Sequence, residues 1–118
     1  MIHARTWAAF LPVLGWVGCA STPMPAEHLA SAEAGIRGAT EVGAESVPQA
    51  ALHLKMANDQ VAQAKGLLQN GDEERAKLVL ERAESDAELS LTLAREASAR
   101  SEANAVMEQI QTLRKLTP

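Results

Sequence analysis

The sequence has no tyrosine, a single phenylalanine, two tryptophans and one cysteine. All three aromatic residues, Trp7, Phe10 and Trp16, precede the cysteine at position 19. Everything after it must build its core from Ala, Leu, Val, Ile and Met. Such a chain has no ring on which to stack a nucleobase. Net charge is -4 and no basic stripe runs along any segment, so nucleic acid is not an expected partner. A lone cysteine cannot close an internal disulfide. His-Glu-x-x-His, paired-Cys and Gly-rich phosphate-loop motifs are all missing, so no cofactor or metal is expected and the chain does not read as an enzyme.

The first nineteen residues are organised differently from the rest. "MIHAR" is short and cationic, "TWAAFLPVLGWVG" is almost wholly apolar, and Cys19 is followed by the polar, proline-bearing "ASTPMPAE". This is the layout of an export signal. The apolar middle, from Trp7 to Val17, falls short of the roughly 20 residues needed to cross a bilayer, and Pro12 and Gly15 weaken it further as a span. The readings open here are a lipid-attachment signal, a plain secretory leader that leaves Cys19 as a free thiol, and an uncleaved anchor.

Trp16, Val17, Gly18 and Cys19 resemble the lipobox of bacterial lipoproteins, with Trp16 in place of the usual Leu. The resemblance implies a diacylglycerol thioether on Cys19, cleavage before it, and acylation of the new amino terminus with fatty acid such as palmitate. Each buried methylene contributes about 0.8 kcal/mol, so several chains on one residue hold a protein at a membrane without a spanning helix. On this reading residues 1–18 are a signal peptide, 19–25 a lipidated linker and 26–118 an Ala-rich helical domain. Loss of Arg5 with the leader takes net charge from -4 to -5. Ala20 follows the cysteine, where Asp is the inner-membrane retention signal of enteric bacteria. The expected location is therefore the envelope, lipid-anchored at the outer membrane and facing the periplasm.

The remaining residues predict three helices and no strand. Leu29, Ala32, Ile36 and Ala39 recur at steps of three and four, predicting a first helix over about Ala26–Val42, although Gly35 and Gly38 each lower helix stability by up to ~1 kcal/mol. Val47, Ala50, Leu54, Ala57, Val61, Ala64 and Leu68 alternate the same steps along a second helix, about Pro48–Gln69. Ser46 and Gln49 have capping-box spacing, and Val47, held out of helical geometry by Pro48, is the competing cap. "NG" at 70–71 ends this helix. Asp72 caps a third that runs to about Leu116, with acids at its start and Arg114 and Lys115 at its end, as the helix dipole favours. Its predicted inner face is Ala76, Leu80, Ala83, Ala87, Leu91 and Ala94. At ~1.5 Å per residue it is some 65 Å long, about twice its partner.

The fold expected is all-α: an antiparallel helical hairpin with a shorter first helix packed on it, up-down-up. His28 and His53 are expected at exposed or rim positions, with Glu84, Asp86 and Glu88 as a solvated acidic face. His53 and Asp59 are six residues apart on one helix and cannot meet. An apolar cluster of Val106, Met107, Ile110 and Leu113 lies beyond the reach of the hairpin, marking it as a face for a partner protein or a second copy.

The breaks in this pattern carry a second resemblance. Gly43–Ala44, Pro48, Leu52, Gly71–Asp72, Ala76, Ala83 and the "DAEL" at Asp86–Leu89 are similar to the domain-of-unknown-function family 4398 of helical envelope lipoproteins. In some relatives this domain precedes an OmpA-like peptidoglycan-binding module. The resemblance implies a non-enzymatic envelope protein, structural or partner-docking. An alternative is an amphipathic helical carrier or chaperone for apolar clients in the periplasm.

Overall fold

The computed structural model describes residues 24–117, and within them the chain forms three helices and one short 3-10 turn. Helix α1 spans Pro25–Glu41, α2 spans Pro48–Gln69 and α3 spans Glu73–Leu116, with the 3-10 turn at Ala44–Ser46. No strand occurs among the described residues. The signal-peptide segment and Cys19 lie outside them.

Each boundary has a local cause. Pro25 opens α1, one residue earlier than predicted, because proline fits the first turn without needing its missing N–H. The Glu27 carboxylate accepts from the Met24 N–H at 3.3 Å. Gly43, at φ 81°, turns the chain out of α1 in a left-handed conformation that costs a side chain dearly. Val47, in extended geometry ahead of Pro48, is the N-cap of α2, so the Ser46–Gln49 capping box does not form. Asn70 and Gly71 close α2 with a Schellman motif. The Asp72 N–H donates to the Leu67 carbonyl at 2.9 Å and the Gly71 N–H to Leu68 at 3.1 Å. Gly71 has φ 76°. Asp72 then caps α3 through its Oδ1, which accepts from the Arg75 N–H at 3.4 Å. A linker this short forces α2 and α3 to lie side by side and antiparallel.

Helix α3 packs along both of the others, and α1 rests mainly on α3. The direction of α1 follows from its contacts: His28 meets Glu84, Gly35 faces Ala87 and Gly38 faces Leu91. Numbers rise together, so α1 runs parallel to α3 and antiparallel to α2, as the up-down-up reading expects.

The core is alanine. Of the thirteen buried hydrophobic residues described, ten are Ala and the others are Leu54, Val61 and Leu80. Small side chains let helix axes approach toward the short end of the 8–10 Å range. One cluster, at the α2–α3 turn, gathers Ala32, Val61, Ala64, Ala76, Leu80 and Ala83. A second, toward the 3-10 turn, gathers Ala39, Ala44, Ala50, Leu54 and Ala94. Ile36 packs against both.

One seam position differs from expectation. The buried row of α3 is Ala76, Leu80, Ala83, Ala87, Ser90 and Ala94, with Ser90 in place of Leu91. Strict alternation of four and three steps requires position 90. Ser90 is fully buried and its hydroxyl donates to the Ala50 carbonyl at 2.8 Å across the helix pair. Leu91 instead turns toward α1, where it lies beside Gly38.

Candidate functional site

Two features stand out above the packed seam: a set of polar clasps between helices, and the bare far half of α3.

The clasps use both histidines. His28 Nδ1 and Glu84 Oε1 lie 2.8 Å apart, joining the start of α1 to α3. An ionised carboxylate only accepts, so the ring donates from Nδ1. This leaves Nε2 of His28 buried and without a hydrogen-bond partner, 3.9 Å from Glu81 Oε1. His53 Nδ1 meets Asp86 Oδ1 at 2.8 Å, and the Gln60 amide donates to Asp86 Oδ2 at 2.8 Å. Asp86 thus accepts from two turns of α2 at once. The expectation of a solvated acidic face therefore needs correction. Glu84 and Asp86 are half-buried partners of the histidines, and Glu88 alone of the three is exposed. Asp59 pairs with Lys55, not with His53. A further tie joins α1 to α2: Lys65 Nζ reaches Glu33 Oε1 at 2.8 Å. The Lys65 hydrogen bond, then its charge, hold the Glu33 carboxyl below its ordinary value of 4.5. Among the described residues no three metal-ligating side chains converge.

Sequence reasoning missed these clasps because they join residues 26 to 56 positions apart. The only available signal was position: His53, Gln60 and Asp86 all flank the alanine seam, where a polar side chain can reach across without entering the core.

The second feature is the far half of α3. From Ser98 to Thr117 every residue is exposed. The sequence itself explains why the hairpin stops. The row that packs on α2 continues as Ala97, Ser101, Asn104, Glu108 and Gln111, which is polar beyond its first member. The apolar residues move to Ala99, Ala103, Val106, Ile110 and Leu113, each two positions further on. At 100° per residue that row is turned about 200° around the helix, away from α2. Met107 flanks it. Val106, Met107 and Leu113 are more than half exposed, and Ile110 is 39 % exposed. The four residues predicted as a partner face thus lie together on one bare stretch of helix, with no other described element packed against them. The stripe repeats at coiled-coil spacing, with two alanines nearer the bundle and three large aliphatics beyond them.

An all-helical hairpin with an alanine seam and a projecting third helix defines the class. The family model for a domain of unknown function (DUF4398) matches residues 27–106, and the chain belongs to that family. The match covers the hairpin with α1 and ends at Val106, the first of the four predicted face residues. Neither the curated proteins nor the solved structures contain a match to this chain.

Proposed function

We propose that this protein is a non-enzymatic lipoprotein of the bacterial envelope, held at the membrane by acylated Cys19, whose role is to dock a partner through the bare half of α3. The observation that carries the docking reading is the exposed stripe of Val106, Met107, Ile110 and Leu113 on a helix that outruns its own bundle. A single aliphatic residue on a surface is ordinary; a periodic row of them on a helix long enough to present two further heptads is a binding face.

The attachment reading rests on the first nineteen residues: a cationic start, a short apolar run and a Gly–Cys pair. Among the described residues, no helix is long and apolar enough to cross a membrane. Membrane fractionation of the protein in a bacterial host, beside Cys19→Ser, tests the attachment. The wild type is expected with the membranes and the variant released from them. Intact mass is expected to give a chain starting at Cys19 with added acyl groups. A species starting at Met1, or one with an unmodified thiol, refutes the attachment.

A further inference from the structure

We infer that the partner for the bare half of α3 is a second copy of the same helix, paired antiparallel about a two-fold axis that passes between Asn104 and Ala105. This deepens the docking reading above and rests on it.

The pattern of the stripe is self-complementary in that one sense. With the axis placed there, Ala103 of one copy meets Val106 of the other, Ala99 meets Ile110, and Glu96 comes level with Leu113 and Arg114. Every large aliphatic residue on the stripe from Ala99 to Ile110 then faces an alanine, which is how closely approaching helices keep a constant spacing. The fold already uses this arrangement, since α2 and α3 pair antiparallel across an alanine-rich row. A parallel pair has the opposite character. It stacks Ala99 on Ala99 and Ala103 on Ala103, then Val106, Ile110 and Leu113 each on itself, so the helices are asked to be close at one end and apart at the other.

Charge favours the same sense. The near half of the overlapping segment carries Arg95, Glu96, Arg100 and Glu102, and the far half carries Glu108, Arg114 and Lys115. The first sums to zero and the second to one positive, so the sense of pairing is set by individual charge pairs. Antiparallel pairing brings Glu96 level with Arg114, whereas parallel pairing sets Glu96 against Glu96 and brings Arg95 beside Arg100 at the flanks. The antiparallel flanks hold no like-charge pair: Arg100 lies across from Met107, and Glu102 across from Gln109.

The size of the contact sets its strength. Overlap runs from about residue 92 to the end of α3 in each copy, roughly 39 Å of helix. A strip of that length and one helix wide buries on the order of 800–1,200 Å² in total, the range of weak interfaces. Self-association in dilute solution is therefore expected to be weak and concentration-dependent. Confinement of both copies to one membrane raises their effective concentration and favours the pair.

The test uses full-length protein extracted from its host in detergent, with single cysteines introduced in place of Asn104 or Lys115 and spin-labelled. Wild-type protein serves as the control for label taken up at Cys19. The expected result is a dimer by sedimentation whose Lys115 labels lie roughly 15–20 Å further apart than its Asn104 labels, because position 115 is far from the axis and 104 is beside it. Ile110→Glu places a charge at the Ala99 contact and is expected to weaken association at least about tenfold while leaving helix content unchanged. Equal label distances at the two positions, a monomer at all concentrations, or an Ile110→Glu protein that associates like the wild type each overturns the inference. Those outcomes leave lipid attachment standing. Label uptake by wild-type Cys19 overturns lipid attachment alone, and the distances are then measured in the Cys19→Ser background.

Discussion

Gly35 is the place where close helix packing can be tested against helix propensity. In an exposed helix interior, replacing glycine by alanine stabilises by about 0.8–1.0 kcal/mol. At Gly35 a new Cβ would stand 3.0 Å from the Ala87 Cβ, well inside the 3.5–4.0 Å optimum for carbon pairs. Neither atom can rotate away, because both are fixed to helix backbones. Helix α1 must move outward by roughly 0.5–1 Å, which forfeits a quarter to a half of the attraction across the contact. Overpacking of this kind costs about 1–3 kcal/mol, so the net change for Gly35→Ala is a destabilisation of about 1 kcal/mol. Two other glycines provide the controls. A Cβ at Gly38 would meet Leu91 at 3.9 Å, an ordinary contact, and one at Gly66 would meet nothing within 4 Å. Both substitutions are expected to stabilise by about 0.5–1 kcal/mol. Thermal unfolding followed by circular dichroism reads the difference, with about 4–8 °C per kcal/mol expected for a domain this size. The double variant Gly35→Ala with Ala87→Gly adds a coupling test, since removing the opposing methyl should make the pair less harmful than the sum of its parts. A Gly35→Ala protein as stable as Gly66→Ala would show that α1 is not held at the close approach argued above.

Two further substitutions test ties between helices. Ser90→Leu puts a large side chain where a heptad reading alone would favour one, yet the site is fully buried and filled by a hydroxyl bonded to Ala50; a loss of about 1–3 kcal/mol in urea unfolding is expected, and a stabilised protein would contradict the assigned packing. Glu33→Gln tests the Lys65 pair through pH. The folded carboxyl is held below 4.5, so its contribution is fully present above that value and fades as pH falls through the lower folded-state value. Wild type is thus expected to melt above Glu33→Gln at neutral pH and to lose that lead in acid, and a lead that does not change with pH would rule the pair out as its source.

What could be read from the sequence was what local chemistry decides. Gly43 and Gly71 mark the two chain reversals because a left-handed residue is needed at each. Asp72 marks the start of α3 because its carboxylate satisfies a free N–H. The alanine seam and the stranded stripe beyond it follow from period alone. Features set by the rotation of one helix against another were not legible in the same way. From Ala87, Ser90 ends a three-step and Leu91 a four-step; strict alternation points to Ser90, but its polarity points to Leu91, and the register of α3 on α2 buries Ser90. Gly35 reads in the sequence as a weak point in α1 and proves to be a point of close approach to Ala87 of α3. His28 and Glu84 are 56 residues apart, and their meeting depends on α1 lying on α3 rather than in the groove against α2.

The direction of the helices ties the two proposals together. Because α1 runs parallel to α3, the chain enters the bundle at the end remote from the bare segment: His28 is level with Glu81 and Glu84, while the stripe begins beyond Leu91 and Gly38. Antiparallel pairing about the Asn104–Ala105 axis therefore sets the two starts of α1 at opposite ends of one rod, about 75 Å apart at 1.5 Å per residue. Two copies anchored in the same membrane cannot then stand upright; the rod must lie along the surface. If Cys19 is the anchor, as proposed, six residues from 19 to 24 allow a reach of up to about 20 Å, well over the 5–6 Å radius of a helix, so a rod lying flat keeps both attachment points within reach of the bilayer with α1 intact.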